Sequence, residues 1–149
     1  MTAVHTPELD RAYLDFAETI PVYFALSGAT DEVKIGFSSD VRARIRLLNN
    51  EGRFTGRTGV ALLGWMRGGP RLEEEFHALF AEHRTKGEWF KSVPEMADVL
   101  AQRGFQGEPP IVKNPAFRVL TFGYRAARNR VAQVDVYAQP ARSKARRAS

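Results

Sequence analysis

The side chains best placed to do chemistry in this sequence are one arginine, a group of acids with a histidine on a second helical pattern, and a tyrosine and a lysine in two neighbouring apolar runs. Ser38, Ser39 and Asp40 are N-cap candidates for a helix reaching about Asn50, with Val41, Ile45 and Leu48 as its apolar stripe. Arg42 and Arg46 project away from that stripe, whereas Arg44 falls at its edge between Leu47 and Leu48. A guanidinium at the border of a buried face must reach a partner. The alternative is a surface ion pair whose stem lies along the apolar face.

The acids lie in RLEEEFHALFAEHR, residues 71–84, where Leu72, Phe76, Leu79, Phe80 and His83 share one helical face. Glu73 borders that face beside Phe80, with His77 one turn later on the same flank, and Glu75 borders the opposite edge. The periodicity nominates Glu73 or Glu75 for a buried role and does not choose between them. Acids in a first turn also suit the helix dipole. His83, in mid-stripe, reads as a core histidine rather than a ligand. Tyr23 and Lys34 fall in the runs Val22–Leu26 and Val33–Phe37, and the turn residues between them predict a β-hairpin.

Further elements must position these groups. Thr6 and Pro7 start a helix to Thr19 whose Leu9, Tyr13, Phe16 and Ile20 are expected to cover one side of the core. Residues 51–59 read as a polar loop from which Arg53 and Arg57 can reach phosphates. Val60–Met66 is a third strand, with Gly64 marking a bulge or a close backbone approach. Trp89 and Phe90 are expected to fold back onto the core, base stacking by Trp89 being the alternative. Pro94–Arg103 is an amphipathic helix, and Gly104–Pro115 reads as a linker. Beyond it lies a hairpin with a basic loop from Arg125 through Arg128 to Arg130, or a single helix. The closing QPARSKARRAS has the composition of a disordered basic tail.

A chain of 149 residues makes one domain with an extension. The absence of cysteine excludes disulfides and thiolate metal sites. No apolar run approaches the ~20 residues of a membrane span, and the acidic N-terminus is unlike a secretory signal, so the expected compartment is the cytoplasm. Residues 1–110 hold 13 Lys/Arg against 16 Asp/Glu, whereas the remainder holds 9 against one. A polyanion such as DNA is the expected partner of so basic a segment.

The hairpin, the edge arginine and the glutamate helix together resemble the GIY-YIG nuclease superfamily. Its two strand signatures correspond to Pro21-Val22-Tyr23 and Lys34-Ile35-Gly36, and its arginine, eight positions after the second signature's glycine, falls on Arg44. The compact phage and bacterial branch also carries E-x-x-x-H and G-E-W-F, here Glu73 with His77 and Gly87-Glu88-Trp89-Phe90. That register selects Glu73 over Glu75. The resemblance covers residues 22–91 and implies an α+β fold: a small three-stranded antiparallel central sheet flanked by helices, here with a basic C-terminal extension. The implied divisions are an N-terminal helix (1–20) packed on the core, a nuclease domain (21–103), and a linker with extension (104–149).

The resemblance further implies phosphodiester hydrolysis with one divalent ion, Mg²⁺ or Mn²⁺, held by Glu73. Arg44 would bind the scissile phosphate, Tyr23 would position or deprotonate water beside Lys34, and His77 would orient Glu73 or move a proton. Pro21 and Lys34 replace a signature glycine and tyrosine, which leaves the general base open among Tyr23, Lys34 and His77. Nucleic-acid contacts are expected from Arg42, Arg46, Arg53, Arg57, Arg125, Arg128 and Arg130. A DNA endonuclease, a non-cleaving nucleic-acid-binding module and a protein-interaction domain are the competing readings. One site per chain makes a homodimer attractive for cutting both strands, and no membrane is implied.

Overall fold

The structure is a computed structural model that describes residues 5–138. Its strands are β1 (Pro21–Ser27), β2 (Glu32–Phe37), β3 (Val60–Arg67), β4 (Arg84–Lys86) and β5 (Trp89–Lys91). Its helices are α1 (Pro7–Ala17), α2 (Val41–Thr55), α3 (Gly69–Leu79), α4 (Pro94–Arg103) and α5 (Thr121–Ala138). The strands form one antiparallel sheet in the order β3-β1-β2-β5-β4. The expected three strands, β3, β1 and β2, form one side of it, but the sheet has five. The β4–β5 hairpin is built from Thr85–Lys91 and its neighbour Arg84, where three-residue strands are too short to show a period.

Successive side chains on a strand point to opposite faces, and both faces here are covered. On one, Val22, Phe24, Val33, Ile35 and Met66 pack with Leu72, Phe76 and Phe80 from the α3 side and Met96 and Leu100 from α4. On the other, Tyr23, Ala25 and Trp65 pack with Val41, Ile45 and Leu48 of α2. Gly64 fulfils both of its expected roles. The β1–β3 register shifts beside it, and a Cβ there would lie 2.9 Å from Leu100 and 3.2 Å from the Phe105 carbonyl.

Asp40 caps α2 by accepting from the Ala43 N–H at 3.1 Å. The helix continues past Asn50 to Thr55, so Arg53 is helical rather than part of a loop. Gly52 does not stop it, because the following turn packs where its Cβ would be, 2.5 Å from the Arg57 carbonyl; the stop is Gly56, in the left-handed region. Conversely, α3 ends at Leu79 because Phe80 turns into the core, and Ala81–His83 form a 3-10 turn. His83 is therefore not a core residue. It is partly exposed, 3.4 Å from Glu82.

The stretch read as a linker is tied down along the outer edge of β3. Phe105 exchanges two backbone hydrogen bonds with Trp65, whose indole N–H donates to the Gly107 carbonyl at 2.9 Å. This strap blocks the free strand edge. The chain groups into one compact unit of residues 18–115 and a second formed by 1–17 with 116–149. In the second, Tyr13 and Phe16 of α1 meet Phe117, and Arg130 of α5 binds the buried Asp10 through two hydrogen bonds of 2.8 and 2.9 Å. α1 and α5 thus belong to a helical unit made from both ends of the chain. Thr121–Ala138 is a single helix, not a hairpin. The tail read as disordered, residues 139–149, lies outside the described residues.

Candidate active site

The hairpin register sets Tyr23 directly opposite Gly36. A Cβ at position 36 would lie 2.7 Å from the Tyr23 hydroxyl oxygen, so the signature glycine is what lets the ring lie across β2. Tyr23 is only 1% exposed, yet its hydroxyl meets the guanidinium of Arg44, reaching in from the edge of the α2 stripe. Burial pushes the phenol up to about 12, against the opposing pull of the Arg44 charge and hydrogen bond. Tyr23 is therefore a protonated hydroxyl near neutral pH. Arg44 also lies 3.8 Å from Glu51, about two turns further along α2.

The remaining groups gather where the outer edge of β2 runs out of strand. Pairing with β5 covers Glu32 to Lys34 and then ends. The backbone groups beyond still need partners. Glu88 supplies its carbonyl to the Ile35 N–H at 3.1 Å, His77 places Nε2 2.8 Å from the Ile35 carbonyl, and Glu73 accepts from the Phe37 N–H. Two side chains of α3 thus complete the strand edge, which places their functional groups at the end of the hairpin. Since a carbonyl only accepts, His77 Nε2 carries the proton and Nδ1 is the acceptor nitrogen.

Glu73 is 4% exposed, and burial first, then the charge of Glu88, raises its carboxyl to about 8 despite the opposing Lys34. Burial lowers His77, with the Ile35 hydrogen bond opposing, so the imidazole is neutral at pH 7. Glu75 lies on the surface 3.7 Å from Arg71, which separates the two acids that periodicity left tied. Lys34 is buried with Nζ 2.8 Å from a Glu88 carboxylate oxygen. Sequence reasoning did not single out Glu88 as a site residue. Its charge acts on Tyr23, Glu73 and His77 alike, and the only sequence signal was its place in G-E-W-F.

Three of the arginines expected to touch nucleic acid are held by acids. Arg42 forks onto Glu108 at 2.9–3.1 Å. Arg57 forks onto Glu32 and lies over the Trp89 ring, and Arg130 is held by Asp10. Arg46, Arg53, Arg125 and Arg128 are exposed. Trp89 is half-buried against the α2-side core, as the fold-back reading expected.

A metal ion fits one carboxylate here. Glu73 is a hard oxygen donor whose ionised form is disfavoured by its surroundings, a condition a divalent cation relieves. Among the described residues, no group of three or more His, Asp or Glu side chains is assembled for a metal, so an ion on Glu73 would keep most of its water ligands. No curated protein and no solved structure matches the chain. A family match does exist, spanning more than half of the chain, and it encloses all five of Tyr23, Lys34, Arg44, Glu73 and His77. Through that match, over residues 20–103, the chain belongs to the T5orf172 domain family, a phage-associated domain of the nuclease type.

Proposed function

We propose that the protein is a DNA endonuclease of the GIY-YIG type, hydrolysing phosphodiester bonds with one Mg²⁺ or Mn²⁺ ion on Glu73. The observation that supports this most is the cluster of Tyr23 with Arg44 and of Glu73 and His77 around the same end of β2, joined by the Lys34–Glu88 pair. Arg44 is the phosphate ligand. Its guanidinium is already oriented by the Tyr23 hydroxyl, so little reorganisation accompanies charge build-up on the phosphoryl oxygens. Tyr23 keeps its proton and orients the attacking water or a phosphate oxygen. Lys34, held by Glu88, adds positive potential beside them. His77 is the base of choice among the three candidates, because it is neutral and its acceptor nitrogen is Nδ1. When bound, the divalent ion supplies Lewis-acid stabilisation of the scissile group.

A second reading, a DNA-binding module that cleaves weakly or not at all, draws on the raised carboxyl of Glu73, since a group still protonated at neutral pH is a reluctant metal ligand. A plasmid-nicking assay with Mg²⁺ or Mn²⁺ separates the two. Wild type is expected to nick, with Glu73→Ala and Arg44→Ala slower by about 10²–10³-fold. Equal cleavage by all three would remove the site assignment, and DNA binding without cleavage under either metal would favour the binding module. The basic C-terminal region is the proposed aid to DNA affinity. Neutralising Arg125 and Arg128 together is expected to flatten the salt dependence of binding.

A further inference from the structure

Residues 18–115 hold 13 Lys/Arg and 13 Asp/Glu, so that unit is electrically balanced as a whole. The balance is not local: α2 carries Arg42, Arg44, Arg46 and Arg53 against the single acid Glu51. On the helix, Leu47 and Phe54 are one heptad apart and fall on one line, between the edge occupied by Arg44 and the outward face occupied by Arg46 and Arg53. Both are exposed, Leu47 at 47% and Phe54 at 91%, the latter more than any other large apolar side chain among the described residues. A bare phenyl group between a phosphate-binding arginine and two outward arginines has a nucleic-acid chemistry: cations track the backbone while the ring stacks on a base.

We infer that this flank of α2 is a DNA track and that Phe54 stacks on an unpaired or readily unstacked base near the cut. The inference rests on the nuclease reading, because it takes Arg44 as the ligand of the scissile phosphate. Phe54 follows Arg44 by ten residues, about 15 Å along the helix axis, a distance of several nucleotides. Arg46 and Arg53 hold intervening phosphates. Paired duplex DNA hides its base faces, so a protruding ring favours substrates that already expose them, such as bubbles, gaps and branch points. Glu51 lies on the same flank beside Arg44, and a phosphate arriving at Arg44 takes over that interaction.

The test is DNA binding by the full chain in EDTA, using 2-aminopurine in a short unpaired bubble and in the same sequence fully paired. Wild type is expected to bind the bubble more tightly and to quench the fluorophore. Phe54→Ala is expected to bind the bubble about five- to hundredfold more weakly, with no quenching and no change in salt slope. Phe54→Trp should restore both signals, and Arg53→Ala should reduce the salt slope by about one ion. Wild-type affinity and quenching in Phe54→Ala would overturn the inference, as would an equal loss on bubble and duplex. A change in self-association of free Phe54→Ala with DNA affinity intact would instead make this a protein-binding face and overturn it too. Binding without a divalent ion is read independently of cleavage, so a failure here leaves the nicking result of Glu73→Ala to be judged separately.

Discussion

Adjacent residues of β1, Tyr23 and Phe24, enter opposite faces of one sheet. Phe24 meets Phe76 edge-on with ring centroids 5.2 Å apart and lies near Phe80, so its ring is surrounded by apolar side chains. Tyr23 is equally buried, but meets Arg44 and lies near the charges of Glu88 and Glu73. Among the described residues, no buried side-chain nitrogen or oxygen lacks a hydrogen-bond partner. The contrast shows how a small domain divides its work. The surroundings of Phe24 supply transfer free energy, and those of Tyr23 keep polar groups out of water where hydrogen bonds and charges act more strongly. The polar surroundings are affordable because the apolar ones are well packed.

The sharpest way to break this comparison is to exchange the costs. Phe24→Ala is expected to lower unfolding free energy by about 3–5 kcal/mol in urea, through lost burial and a cavity. Tyr23→Phe should change stability by less than about 1.5 kcal/mol, while nicking falls more than tenfold because Arg44 loses its orienting oxygen. If Tyr23→Phe unfolded the protein as readily as Phe24→Ala, the hydroxyl would be structural and the division of work would fail.

Acidity sharpens the same contrast. A carboxyl raised in the folded state makes that state bind more protons than the unfolded chain, so stability falls as pH rises from the ordinary glutamate range to about 8. His77 acts oppositely below 6.5, because its folded value is depressed and stability rises as pH climbs through that range. The clean window is therefore pH 6.5 to 8. There, metal-free wild type should lose up to about 2 kcal/mol in urea denaturation, and Glu73→Gln should lose little. Mn²⁺ should flatten the wild-type curve. A flat metal-free profile would mean that Glu73 is not held neutral by its surroundings.

A further test concerns the contact between the strands. Gly36→Ala would bring a methyl group within 2.7 Å of the Tyr23 hydroxyl oxygen, and the ring cannot stay where it is. A cost of about 1–3 kcal/mol is expected, together with slower nicking. Unchanged nicking would show that the position of the Tyr23 hydroxyl is not critical.

Local patterns made much of this legible before the fold was seen. The β1–β2 hairpin, the Asp40 cap, the amphipathic α4 and the place of Arg44 at a stripe edge each follow from residues a few positions apart. Other features had no local signature. Glu73 and Glu75 border the same apolar stripe on opposite sides, and a helical wheel cannot tell which side meets another strand. Glu88 looked like one residue of a motif until its carboxylate was found on Lys34. The β4–β5 hairpin was too short for periodicity, and Arg57, read as a phosphate contact, is bound by Glu32.

By itself, the sequence determined the helical period of α2 and α4, a short run of cap candidates for α2, the lack of thiol chemistry and the order of the reactive side chains. Tertiary structure alone decided that pairing with β5 stops at Lys34 of β2 and leaves the end of β2 for Glu73, His77 and Glu88 to complete, and that α1 pairs with α5. The physical reason is separation along the chain. Caps and periods act within a turn or two, whereas strand-edge hydrogen bonds and burial depend on which distant segments arrive. Glu73 becomes a buried acid because it completes β2, more than thirty residues earlier.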